Sequence, residues 1–138
     1  MRTEFAPSWP ISIFIAGALD KAKAACQAYC DDTGFCVTVT PTSYVYTGGE
    51  EAGVIVGLIN YPRFPSQLCL LEQRAISLGM HLRDSLGQQS FSIQTPTTTR
   101  WLSWRAEDAS AGEAGTDWDN KDWPSRRRAR GPRRGDAQ

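Results

Sequence analysis

The apolar residues of this chain change from alternation to helical spacing and back, and then repeat that change. This succession constrains the fold more than any other feature, because a strand pattern does not settle as a helix. In 10–16, Ile11, Ile13 and Ile15 alternate with Ser12 and Phe14, which predicts a half-buried strand with Phe14 on its outer face. Leu19, Ala22, Cys26 and Tyr29 then recur at helical spacing, so a first helix is expected over 19–30. Asp20 suits the dipole of its first turn, and Gly34 suits a left-handed turn after it. Phe35, Val37 and Val39 alternate as a second strand. Pro41 removes a backbone donor there, which places that strand at an edge or a bulge. The strand resumes at Tyr44-Val45-Tyr46, and 47–50 predicts a hairpin turn. The third strand, 52–61, is apolar on both faces, as strands in the middle of a sheet are.

Pro62 and Pro65 make 60–65 a rigid linker. Ser66 is expected to cap a second helix whose stripe is Leu71, Ala75, Leu78 and Leu82, ending at Gly87. Gly79 inside that helix costs about 1 kcal/mol relative to alanine. The fourth strand covers 90–95, and 99–105 continues it after Pro96. The order β-α-β-β-α-β predicts an α+β, ferredoxin-like fold. Right-handed crossovers give a four-stranded antiparallel sheet in the order 4-1-3-2, with both helices on one face. The expected domain is 9–105, after a flexible lead-in at 1–8.

Composition bears on the remainder. Residues 106–138 contain no Val, Ile, Leu, Met or Phe, so they are expected to be a disordered tail. The formal net charge of zero hides a segregation: eight basic and eight acidic side chains in 1–105, an acidic stretch in 106–125, then six arginines in 126–138. A balanced body argues against unspecific nucleic-acid binding by the folded part, leaving only the Arg-rich tail for that role. No run reaches the ~20 apolar residues of a membrane span. Ala16-Gly17-Ala18 looks like a signal cleavage site, but Glu4 and Pro10 argue against a signal peptide, so a cytoplasmic protein is expected.

Cys26, Cys30, Cys36 and Cys69 match no common zinc spacing, and the single histidine excludes a Cys2His2 site, so reduced thiols and no metal are expected. His81 is expected to be an exposed helix residue, and Glu50 and Glu51 to point apart in their hairpin. No phosphate loop, nucleophile elbow or metalloprotease helix is present. The chain is therefore expected to be no enzyme and to hold no cofactor. The topology gathers Asn60, Tyr61, Arg63 and Phe64 with Trp101 and Trp104 at one end of the sheet, as a ligand or partner site with Arg63 as the specificity contact. Its simpler reading is an Arg63 ion pair with Asp31 or Asp32. Phe14, Ile55 and Ile59 are expected on the open sheet face as a homo-oligomer interface.

Two resemblances add to this. Ile13-Phe14-Ile15-Ala16-Gly17-Ala18-Leu19 resembles the first segment of an RNA-recognition motif, which would stack a base on Phe14. The third strand lacks the basic start and the central aromatics of that family's second segment. The run Thr40-Pro-Thr-Ser-Tyr-Val-Tyr-Thr-Gly-Gly-Glu-Glu, with Ile59-Asn-Tyr-Pro-Arg-Phe-Pro65 and Gly87-Gln-Gln-Ser-Phe91, resembles small uncharacterised proteins of tailed bacteriophages and prophages over roughly 11–105. That resemblance implies an accessory factor in the host cytoplasm. It would be a non-enzymatic protein inhibiting a host defence protein, or alternatively an oligomeric sponge for a small nucleotide signal. RNA binding is the third alternative.

Overall fold

The computed structural model describes residues 1–111. The chain runs β1 (Ile11–Ala16), α1 (Leu19–Thr33), β2 (Thr38–Tyr46), β3 (Gly49–Leu58), α2 (Leu68–Leu86), β4 (Ser90–Gln94), β5 (Thr99–Ser103) and a 3-10 helix (Ala106–Ala111). The strands form one antiparallel sheet in the order β2-β3-β1-β4-β5. The expected four-stranded sheet is therefore corrected to a five-stranded one.

The correction has a local cause. Residues 99–105 do not continue the fourth strand, because the chain reverses at 95–98. The Thr95 amide donates to the Thr98 carbonyl at 2.8 Å, and Thr95 Oγ1 accepts the amides of Thr97 and Thr98 at 3.3 and 3.1 Å. A threonine hydroxyl can stand in for a backbone acceptor in this way. β5 then folds back on β4 as an outer strand, with Trp101 opposite Ser92.

One sheet face holds the core. Ile11, Ile13, Ile15, Val54, Val56, Leu58, Phe91 and Ile93 are buried in a single cluster with Ala22, Ala25, Cys26 and Tyr29 of α1 and Leu71, Ala75, Leu78 and Leu82 of α2. Each large aliphatic side chain so placed contributes about 1.5–3 kcal/mol. Gly34 closes α1 at φ 71°, donating its amide to the Cys30 carbonyl at 2.8 Å. Ser66 does not cap α2. The cap position is Gln67, with no side-chain bond, and the Ser66 amide instead donates to Asn60 Oδ1 at 2.7 Å. Pro41 lies in β2, an outer strand, where its missing donor is tolerated.

The expected tail begins as the 3-10 helix, held by Ser103 Oγ donating to Asp108 Oδ2 at 2.6 Å. Residues 112–138, which carry the rest of that expectation, lie outside the described residues. No helix among the described residues is long and apolar enough to cross a membrane.

Candidate functional site

The end of the sheet marked out by the sequence is only partly assembled. Asn60 is buried and structural: besides the Ser66 amide it binds the Pro7 carbonyl through Nδ2 at 2.9 Å, joining the linker to the lead-in. The rings of Tyr61 and Phe64 lie 5.6 Å apart. Cys36 Sγ donates to the Tyr61 hydroxyl at 3.6 Å, and this bond, then burial, holds the phenol above its ordinary range. Arg63 is exposed and forms no ion pair among the described residues; Asp31 instead accepts from Gln27 Nε2 at 2.9 Å.

Trp104 does not join this end. It sits after β5 at the opposite end of the sheet, stacked on Phe91 at 5.8 Å beneath the Arg83 guanidinium at 4.3 Å. Its separation from Arg63 follows from the reversal at 95–98, which sends the chain back along β4. Trp101 lies in the middle of β5. His81 is half-buried rather than exposed, 6.1 Å from the Tyr29 ring, and its Nε2 has no hydrogen-bond partner. Burial pushes the Cys26 thiol up to about 11, which leaves it an inert core residue. Among the described residues no three His, Cys, Asp or Glu side chains gather as a metal site.

The sheet face turned away from the core has a composition of its own. The registers align Thr40, Ile55, Phe14, Ser92 and Trp101 in one row across the five strands. The neighbouring rows bring up Ser12, Thr38, Gln94 and Thr99 on one side and Ala16, Thr42 and Gly53 on the other. Tyr44 stands opposite Glu51, and Tyr46 opposite Gly49. The face is thus aromatic and hydroxyl-rich, and among its strand residues Glu51 alone carries a charge. Phe14 and Ile55 share this face, both half-buried, whereas Ile59 lies beyond the end of β3 and is 46% exposed.

Two contacts organise its hairpin end. Tyr46 donates its hydroxyl hydrogen to Glu51 Oε1 at 3.0 Å. Gly53 has no Cβ, and one placed there would stand 2.9 Å from Tyr44 Cδ2 and 2.8 Å from the Ile15 carbonyl oxygen. The Tyr44 ring therefore rests against bare backbone. Strand alternation separates Glu50 from Glu51, in agreement with the expectation that they point apart.

Tyr44, Tyr46 and Gly53 are not among the candidate site residues drawn from the sequence, and Glu51 enters there only beside Glu50, as one of two acids expected to point apart. Their signal is the hairpin: once its turn is Thr47-Gly48, alternation counts Tyr46, Tyr44 and Thr42 onto one face opposite Gly49, Glu51 and Gly53. Chemically the arrangement offers π faces, hydroxyls for a sugar and one carboxylate for a cation. No strand residue of this face neutralises a phosphate; Arg100 of β5 pairs with Ile93 and belongs to the other face.

No protein-family model matches the chain, and no curated relative matches it. Two solved structures share its fold. A phage SAM lyase in the apo state matches with a TM-score of 0.57 and 17% identity, over 69% of this chain and 88% of that one. A phage SAM lyase in complex with S-methyl-5′-thioadenosine matches with a TM-score of 0.61 and 16% identity, over 76% of this chain and 98% of that one. At these identities the likeness is one of fold. It stands against the expectation of a non-enzymatic protein that inhibits a host protein, because both solved structures that share the fold are of a phage SAM lyase, an enzyme, one of them in complex with S-methyl-5′-thioadenosine. Of the expectations drawn from the sequence, the alternative of a small nucleotide-like ligand stands nearest to that finding.

Proposed function

We propose that this chain is a phage-type enzyme that binds S-adenosylmethionine on its open sheet face and cleaves it in the host cytoplasm, releasing S-methyl-5′-thioadenosine. The observation that carries the reading is the charge of that face: aromatic rings and hydroxyls with one carboxylate, Glu51, and no Lys or Arg among its strand residues. Such a face disfavours phosphate, and with it RNA and phosphate-bearing nucleotide signals. It suits a nucleoside that carries a positive charge. A sulfonium beside Glu51 gains Coulomb energy, and one over the Tyr44 ring gains about 0.5–2 kcal/mol more.

The bond between the sulfonium sulfur and the γ-carbon of the amino-acid arm breaks, and its electron pair returns to sulfur, giving a neutral thioether. The four-carbon fragment completes its valence by bonding its own carboxylate oxygen to that carbon, or by losing a proton to form an alkene. The first route needs no protein base; in the second, Glu51 is the carboxylate on this face that would take the proton. The face is open, so a second copy resting on Phe14 and Ile55 would exclude water from it, and the homo-oligomer expected from the sequence suits the same reading.

Incubating the purified chain with S-adenosylmethionine and following both fragments by mass spectrometry tests the proposal. Glu51→Gln is expected to slow cleavage by at least about tenfold, the equivalent of roughly 1.4 kcal/mol of lost charge contact. A wild-type chain that neither binds nor consumes S-adenosylmethionine refutes it.

A further inference from the structure

We propose, on the reading that the open face holds S-adenosylmethionine, that Tyr46 is a positioning residue which fixes Glu51 and leaves one carboxylate oxygen, Oε2, to meet the sulfonium. Glu51 stands near the hairpin end of β3, where an unrestrained glutamate samples several rotamers and is hydrated. The Tyr46 hydroxyl removes that freedom by donating to Oε1 at 3.0 Å. The donor is neutral, so the carboxylate keeps its full charge, whereas a lysine in its place would cancel it. Both residues are half-buried, which shields the contact from competing water. Tyr46 and Tyr44 lie two apart on one strand and share a face, yet their roles separate. Tyr44, laid against Gly53, offers a ring to the ligand directly. Tyr46 acts on the ligand's charge through Glu51.

That division predicts a charge-selective phenotype. Tyr46→Phe keeps the ring and removes only the hydroxyl, so substrates with a cationic sulfur suffer and neutral ones do not. The experiment measures KM and kcat for S-adenosylmethionine, and Kd for neutral S-methyl-5′-thioadenosine, in wild type, Tyr46→Phe, Glu51→Gln and the double variant. Circular dichroism and thermal midpoint confirm that each variant is folded. For Tyr46→Phe, KM for S-adenosylmethionine is expected to rise roughly three- to tenfold, the size of one ordinary hydrogen bond. The thioether's Kd is expected to stay within about twofold, below the effect of a lost contact. In the Glu51→Gln background, Tyr46→Phe is expected to add nothing, because residues acting as one unit are not additive.

Unchanged KM, an equal loss for both ligands, or an additive double variant overturns the positioning role while leaving the site reading intact. A wild type that cleaves S-adenosylmethionine together with an unaffected Glu51→Gln overturns the site reading itself. A wild type that neither binds nor cleaves it overturns both.

Discussion

Gly53 shows how one missing atom shapes the proposed site. A methyl group there would meet both the Tyr44 ring and the Ile15 carbonyl oxygen. The ring can swing away but the backbone oxygen cannot, so Gly53→Ala is expected to lift Tyr44 off the sheet. Calorimetry should find affinity for S-methyl-5′-thioadenosine reduced by roughly fivefold or more, in line with the loss of a stacking contact worth about 1 kcal/mol. A second residue-scale expectation concerns Cys26, whose thiol burial raises from 9.0 to about 11. Between those values the unfolded chain has lost the proton and the folded chain retains it, so stability is fully present below pH 9 and falls as pH rises toward 11. The loss reaches about 2–3 kcal/mol. Urea titrations across that range should record it in wild type, and its persistence in Cys26→Ala would assign it elsewhere. At this scale the sequence is unevenly legible. The core positions were legible because alternation and helical spacing encode burial directly. Tyr44, Tyr46 and Glu51 were not, because their meaning depends on a cross-strand register that one residue of slippage would reverse. Gly79 read as a defect in a helix, yet a Cβ there would lie 2.7 Å from Phe91 Cζ, so its absence makes room for the core.

At the scale of elements, the β4–β5 hairpin is what separates the observed fold from the expected one. Thr99–Ser103 is short and follows Pro96 closely, so it reads as the continuation of a strand rather than a new one. The reversal depends on the Thr95 side chain and on a partner strand, neither of which leaves a periodic trace. The hairpin is also why Trp104 and Arg63 lie at opposite ends of the sheet. What holds its far end is Trp104, between Phe91 and the Arg83 guanidinium, together with its amide bond to the Gln89 carbonyl at 2.7 Å. Trp104→Ala removes the ring contacts and is expected to cost about 2 kcal/mol, combining an aromatic pair with a partly exposed cation–π contact. The urea midpoint should fall accordingly, and a midpoint equal to wild type would show that the hairpin is held from elsewhere.

For the whole molecule, the zero net charge divides into a balanced body and a segregated remainder. The buried core lies between Ile11 and Ile93, and every residue of the proposed ligand face lies before Ser103. A chain ended after Ala111 is therefore expected to fold with a thermal midpoint close to that of the full chain and to retain the proposed cleavage of S-adenosylmethionine. Loss of the cooperative transition on that truncation would place part of the fold beyond the described residues. The fold order of the first four strands was legible because each period change marks an element boundary. The proposed functional class was not, because the composition of the open face is spread over all five strands and emerges only when their registers are laid side by side. The most direct test of that account is the conversion itself. Purified wild type and Glu51→Gln are incubated with S-adenosylmethionine and the mixture is resolved by mass spectrometry. The account predicts S-methyl-5′-thioadenosine accumulating with wild type and at least about tenfold more slowly with folded Glu51→Gln. S-adenosylmethionine left intact by wild type, or consumed equally by both proteins, would contradict it.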